Sequence, residues 1–240
     1  MNAPPADPPF LSVAVPAYNE EANLEPTVRT LLDHLGRSVP SFEILIVDDA
    51  SRDGTADVAR QLTASDPRVR VFRHPENRGI GGGFRTAVHE ARGEWFLLVP
   101  ADLALDPREL TKYFEAARDS DVVVGLRSDR SDYGVFRRLV SWVNVTLIRT
   151  LFRMRERQFQ YISLYRTSVL REVGIEYWRS AFFLPEILIK ARARGARLRE
   201  VTIRYVPREA GRATGASFRM IRRTVRDMLA FWLRGDWRPR

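Results

Sequence analysis

Apolar residues follow two rhythms in the first half of the chain. Short β-branched runs alternate with longer stretches of helical period. The run "LSVAVPAYN" (11–19) is closed by Pro and Asn and reads as a strand. "EEANLEPTVRTLLDHLG" carries Leu24, Val28, Leu31, Leu32 and Leu35 on one side and ends on Gly36, which predicts a helix. Its Pro26 must then lie in the first turn. The alternation continues with strand 42–51, helix "DGTADVARQLTA", strand 69–74, a glycine-rich turn "NRGIGGG" opening helix "FRTAVHEAR", strand "EWFLLVPAD", helix "DPRELTKYFEAAR" and strand 121–127. Five strands separated by helices predict a mostly parallel, doubly wound α/β sheet with helices on both faces. Right-handed crossovers place every parallel strand's C-terminal end at one edge, where such sheets bind ligands.

The second half is less regular. Residues 134–154 predict a long helix with Phe136, Leu139, Val140, Val143, Leu147 and Leu151 on one face and Arg138, Trp142, Arg149 and Arg153 on another. A strand at 162–166, a helix near 182–195 and a strand at 197–208 follow. The last helix sets Phe218, Ile221, Val225, Met228 and Trp232 against Arg219, Arg222, Arg223 and Arg226. Both arginine-bearing helices fit two settings: packing on the sheet, or lying in a membrane interface, one face inward and one outward. The expected organisation is a disordered Pro-rich lead over 1–9, one domain over 10–215, and an amphipathic helix with tail over 216–240.

Composition changes this picture in two ways. The chain has 240 residues and no cysteine, which excludes disulfides, thiolate nucleophiles and cysteine metal sites and suits a cytoplasmic setting. The N-terminal segment lacks the pattern of a secretory signal, and no apolar run is long enough to span a bilayer. Charge is split: residues 1–120 carry 13 Lys+Arg against 19 Asp+Glu, and residues 121–240 carry 26 against 11. The basic half points to an anionic partner such as phosphate, acidic lipid or nucleic acid. No nucleic-acid motif accompanies it, so nucleic acid is not an expected partner. His34, His74 and His89 read as scattered surface positions without a metal site or triad.

Strand ends carry the candidate chemistry. Asp48 and Asp49 end the second strand, Asp102 the fourth and Arg127 the fifth. All four should face one crevice. Alone, such carboxylates also cap following helices, as Asp49 can.

The segments "VPAYNEE", "VDDASRDGT", "NRGIGGGFRTAVHEARGEW", "PADLALDP" and "DVVVGLR" occur in the order and spacing of family 2 glycosyltransferases. Over about residues 10–215 the chain resembles that family, and within it dolichol-phosphate mannose synthases and polyprenyl-phosphate sugar transferases. The resemblance implies a GT-A, Rossmann-like fold. It also implies inverting transfer of a hexose from a nucleotide-sugar donor to a polyprenyl phosphate acceptor at the inner membrane surface. Pro16, Tyr18 and Glu20 would line the nucleotide pocket, and Asp49 would accept hydrogen bonds from the base. The turn at Gly79 would bring backbone amides to a diphosphate, with charge from Arg85.

Asp102 matches the last aspartate of the family's Asp-Ala-Asp signature, while Pro100 replaces the first and Ala104 a common glutamine. Mg2+ or Mn2+ on Asp102 alone would complete its shell with water and substrate oxygens. On the acceptor side, Arg127, the Arg137–Ser141 pair, Arg208 and Arg212 match phosphate-binding positions, and arginine's planar fork suits that anion. The usual Asp-x-x-Ser-Gly-Phe segment reads "RQFQYISLYR", with Asp, Gly and Phe all absent. Glu186 matches a carboxylate facing the site. It is the candidate base for a hydroxyl acceptor and otherwise a salt-bridge residue. Transfer to a hydroxyl, or a non-catalytic pseudo-transferase that binds nucleotide-sugar or lipid phosphate, remain alternatives.

Overall fold

The computed structural model describes residues 10–103, 105–129, 134–159, 161–204, 218–235 and 237–238, with the backbone alone at 136 and 137. The first half alternates as its apolar rhythm predicts: β1 (Leu11–Ala17), α1 (Glu21–Ser38), β2 (Phe42–Asp48), α2 (Thr55–Ser65), β3 (Val69–Arg73), α3 (Gly79–Glu90), β4 (Trp95–Leu98), α4 (Leu110–Ala117) and β5 (Val122–Arg127). The second half adds α5 (Val135–Phe152), β6 (Ser163–Arg166), α6 (Thr167–Val173), α7 (Phe183–Ala193), β7 (Leu198–Ile203) and α8 (Phe218–Arg234). The short α6 has no counterpart in the sequence reading. Pro26 lies in the second turn of α1, not the first, on its exposed face. There the carbonyl left without a helical partner can be met by water.

The seven strands pair in the order β3-β2-β1-β4-β6-β5-β7. All adjacent pairs are parallel except those of β6, which runs antiparallel to both β4 and β5. At β6, therefore, the start of the strand lies at the edge where β1, β2, β4 and β5 end. Apolar layers cover both faces of the sheet. One holds Leu24, Leu31, Ala59 and Tyr113 from α1, α2 and α4. The other holds Phe84, Leu170, Phe183 and Phe231 from α3, α6, α7 and α8. Burial of these side chains contributes about 25 cal/mol per Å² of apolar surface removed from water.

The arginine-bearing helices bury only part of their apolar residues. α8 packs through Thr224, Asp227, Met228 and Phe231, leaving Phe218, Val225, Leu229, Trp232 and Leu233 exposed. On α5 the buried residues include Ile148 and Phe152, while Val135, Leu139, Trp142 and Val143 are exposed. The two helices meet near their C-terminal ends, where the Phe152 and Phe231 rings are 5.6 Å apart. Among the described residues no helix is long and apolar enough to cross a membrane.

Candidate functional site

The loops after β1 and β2 are tied into one wall. Asn19 donates its amide to Ser51 Oγ (3.0 Å) and accepts the Arg52 amide on Oδ1 (2.9 Å). The Glu20 amide donates to Thr55 Oγ1 (2.9 Å), and Glu20 Oε2 accepts from Asn23 Nδ2 (2.7 Å). Asn19, Ala50 and Leu103 all have left-handed backbone, at φ 55°, 62° and 42°. They follow β1, β2 and β4 respectively. Non-glycine residues held there store backbone strain of the kind that clusters at functional sites. Tyr18 is exposed on this wall, and Pro16 and Glu20 are half-buried.

Asp48 turns inward. Its Oδ1 accepts the Ser51 amide (2.9 Å) and its Oδ2 lies 3.1 Å from Arg73 Nε. Asp49 is buried as well, and most of its partners lie in the next loop. Oδ1 accepts from Arg78 N (2.8 Å) and lies 2.6 Å from His74 Nδ1, while Oδ2 accepts from Gly79 N (2.7 Å). Gly79 has φ +72°, a conformation that suits glycine. Its N–H, expected to face a diphosphate, is thus taken by Asp49. The glycines after it serve close packing. A Cβ added at Gly81 would collide with the Trp178 carbonyl, and one at Gly83 would lie 3.2 Å from Pro16 Cβ. Arg85 is exposed and stacks over the Trp178 ring at 5.4 Å.

His74 corrects the reading of the three histidines as surface positions: it is 5% exposed. Its Nε2 lies 2.8 Å from Thr86 Oγ1, so both ring nitrogens have partners. The pairing of Asp48 with Arg73 in the β2–β3 register sets His74 beside Asp49. That adjacency is the sequence signal that would have found it.

Asp102 sits in the loop after β4. Val99 N donates to Ala14 O (2.9 Å), and Thr27 Oγ1 donates to Ala101 O (2.6 Å), so the loop is fixed on both sides of Pro100. Asp102 is half-buried. Among the described residues no group of three or more His, Asp or Glu side chains is placed to hold a metal ion. A lone carboxylate is a hard oxygen donor. It fits Mg2+ or Mn2+ whose remaining positions go to water and substrate phosphate, and it does not fit a protein-caged ion.

Arg127 ends β5, two strands from β4 across β6. It is 8% exposed, and its Nε donates to Asp129 O (2.6 Å). Gln158 clamps its peptide, with Arg127 N donating to Gln158 Oε1 and Gln158 Nε2 donating to Arg127 O, each at 3.1 Å. The side-chain amide thereby continues the ladder where β6 has not yet begun. Gln158 belongs to the segment that departs from the family pattern, and sequence reasoning gave it no role. Neighbouring Gly125 leaves room for Tyr113, whose hydroxyl donates to Ile162 O (2.6 Å). Ser141 is half-buried on α5. Ala104, Arg208, Arg212 and the side chain of Arg137 lie outside the described residues.

Glu186 requires a correction. It is fully buried, accepts the amides of Glu176 and Tyr177 (both 2.9 Å), and lies 2.6 Å from Lys190 Nζ. The carboxylate has no exposed oxygen with which to deprotonate a hydroxyl. Its salt-bridge role is the one realised.

Asp48, Asp49, Asp102 and Arg127 thus lie at or just beyond strand ends on one edge of the sheet, spread from β2 to β5, with Pro16, Tyr18, Glu20 and Gly79 in the segments beside β1 and β2. Residues 12–178 match the family model described as glycosyl transferase family 2. A glycosyltransferase, AglD, of Haloferax volcanii is 30% identical over 210 residues, covering 82% of this chain; the chain spans only 33% of that relative's length. An undecaprenyl-phosphate mannosyltransferase of Micrococcus luteus is 31% identical over 209 residues, covering 82% of this chain and 84% of the relative. Among solved structures, glucosyl-3-phosphoglycerate synthase of Mycobacterium tuberculosis, crystallised with Mn2+, UDP and phosphoglyceric acid, superposes with a TM-score of 0.74 at 16% identity. That match covers 93% of this chain and 78% of the other, and it shows the shared fold.

Proposed function

The chain belongs to glycosyl transferase family 2, and from that premise we propose that it transfers a hexose from a nucleoside-diphosphate sugar to a polyprenyl phosphate, with inversion, at the cytoplasmic face of a membrane. The observation that carries this reading is that Asp102, in the loop after β4, and Arg127, at the end of β5, belong to a single sheet edge. The likeness to the Micrococcus undecaprenyl-phosphate mannosyltransferase over most of both chains supports the acceptor class.

The chemistry assigned to the residues follows from their charge. The acceptor phosphate is already ionised near neutral pH, so its attack on the sugar carbon needs no protein base. This accords with Glu186 being buried and paired. Arg127, held by Gln158, orients the phosphate oxygen for attack. Arg137, Ser141, Arg208 and Arg212 are proposed as its companions. Pro16, Tyr18 and Glu20 bound the donor, and Arg85 adds charge beside the glycine turn. Asp102 would hold Mg2+ or Mn2+, which supplies charge neutralisation for the departing nucleoside diphosphate. As the bond from phosphate oxygen to the sugar carbon forms, the bond to the diphosphate oxygen breaks, and the electron pair leaves with the diphosphate.

Thermal-shift measurements with UDP and GDP, with and without Mn2+, test the donor pocket. The expected result is a rise in Tm with one nucleotide that is larger with Mn2+, together with label transfer from its sugar to undecaprenyl phosphate. Stabilisation without product would favour a nucleotide-sugar-binding pseudo-transferase.

The membrane part of the proposal rests on α5 and α8. On α8, Phe218, Val225, Leu229 and Trp232 form an exposed apolar stripe flanked by Arg219, Arg222 and Arg226. On α5, Leu139 and Trp142 are exposed beside Arg138. An apolar stripe bordered by cations suits an anionic bilayer surface. The protein should sediment with vesicles containing phosphatidylglycerol and not with phosphatidylcholine alone. Trp142→Glu combined with Leu229→Glu is expected to lower the partition coefficient by about tenfold or more, since burial of such side chains is worth roughly 1.5–3 kcal/mol each. Equal sedimentation of the double variant would remove these helices from the membrane contact.

A further inference from the structure

We propose that His74 is a positioning residue of the donor pocket, acting with Thr86 through Asp49 on the turn that opens α3. The inference rests on the reading of that turn as one border of the nucleotide-sugar site. It starts from a closed circuit of hydrogen bonds. Thr86, on the second turn of α3, meets His74 Nε2 at 2.8 Å. His74 Nδ1 meets Asp49 Oδ1 at 2.6 Å. Asp49 then returns to the start of the same helix through the amides of Arg78 and Gly79, at 2.8 and 2.7 Å.

The circuit begins and ends on one helix and passes through the end of β2. It therefore fixes both the distance and the rotation of the α3 start relative to the sheet. Beside a carboxylate, which can only accept, Nδ1 is the donor, and Nε2 pairs with the Thr86 hydroxyl, which can donate or accept. The ring is also anchored by its backbone, as His74 N donates to Asp48 O at 2.9 Å. The fit around the turn leaves little slack. Gly83 lies against Pro16, and Gly81 against the Trp178 carbonyl. A small rotation of α3 would drive it into either neighbour or away from the wall that carries Tyr18. His74 itself is 5% exposed and buried behind Asp49, so it positions and does not touch substrate. Removing its N–H leaves Asp49 with two amide donors and an unmet side. The carboxylate can then swing and release the turn.

Three variants test this against wild type: His74→Leu, His74→Asn and Thr86→Val. The readouts are the Kd for UDP and GDP by calorimetry, kcat at saturating donor, and Tm. Asparagine places an amide N–H where Nδ1 stood. His74→Leu is expected to weaken the preferred nucleotide about tenfold, with kcat at saturating donor within about threefold of wild type. Thr86→Val should weaken it about threefold, and His74→Asn should recover most of the leucine loss. Unchanged Kd in His74→Leu overturns the proposal. So does a loss that asparagine fails to recover, or one in which kcat and Tm fall in proportion to affinity. If His74→Leu does not fold, the Thr86→Val and His74→Asn ratios decide. Absence of nucleotide binding in the wild type overturns the donor reading itself, whereas the ratio of variant to wild type judges His74.

Discussion

Asp102→Ala is expected to reduce kcat by about 10²–10³-fold, the cost typical of removing one preorganised group that stabilises a developing charge. The argument turns on the lack of a substitute. In a site with two carboxylates, loss of one leaves the other to retain part of the metal. Here Pro100 occupies the first position, and no group of three or more metal-binding side chains is present among the described residues. Asp102→Asn keeps one neutral oxygen and should fall between wild type and alanine, with a raised Mn2+ requirement. The loop itself should survive, because its anchors are the backbone bonds of Val99 and Ala101. Titrating Mn2+ in the transfer assay separates the outcomes. If alanine at this position leaves kcat and metal dependence unchanged, Asp102 does not hold the ion.

Lys190→Met should destabilise the fold by about 3–5 kcal/mol, because it strands a buried carboxylate. Lys190 is 3% exposed, and its Nζ lies 2.6 Å from Glu186 and 2.8 Å from Glu176. Glu186, fully buried, would keep two backbone donors but lose its countercharge. In a domain of this size that corresponds to a fall in Tm of roughly 10 °C. Replacing both members with apolar residues should not restore stability fully, since the Glu176 and Tyr177 amides would then lose their acceptor. The network has an acid limit as well. The Lys190 hydrogen bond, helped by Arg234, holds the Glu176 carboxyl below the ordinary range. A depressed carboxyl contributes stability above its unfolded pKa and loses it as pH falls through the folded one. Glu176 should therefore add to stability at neutral pH and lose that contribution under acid, most visibly when Lys190 is present. A Lys190→Met protein with wild-type Tm would refute the buried-pair account.

How much of this was legible beforehand varies with the physical signal. The alternation over residues 10–127 gave strands and helices in order, because each element is long enough to show its period. The direction of β6 was not readable, since four apolar residues look the same run either way. α6, with seven residues, is too short for a helical period to stand out. Which face of α8 packs was not readable, since an apolar stripe beside arginines suits the sheet and a membrane surface alike; Thr224, Asp227 and Met228 go inward, and Leu229 and Trp232 stay outside. Asp102 and Arg127 were found because they follow apolar strand runs, although β4 stops at Leu98 and leaves Asp102 in the loop beyond it. Gln158 and His74 were not, because each works through backbone or a second side chain that only strand pairing brings near, antiparallel for Gln158 and parallel for His74. Glu186 could have been resolved sooner: its i, i+4 relation to Lys190 is visible in the sequence and is the spacing at which helical ion pairs form.

The reversed strand has a bearing on synthesis. β4 and β5 are not neighbours, so the first 127 residues emerging from a ribosome cannot complete the sheet. Each of those two strands presents a bare, hydrogen-bonding border until residues 163–166 slide between them. A nascent or truncated chain ending before that insertion offers a template for intermolecular pairing, so stop sites or proteolytic cuts upstream of Ser163 should yield aggregates where the full chain yields folded protein.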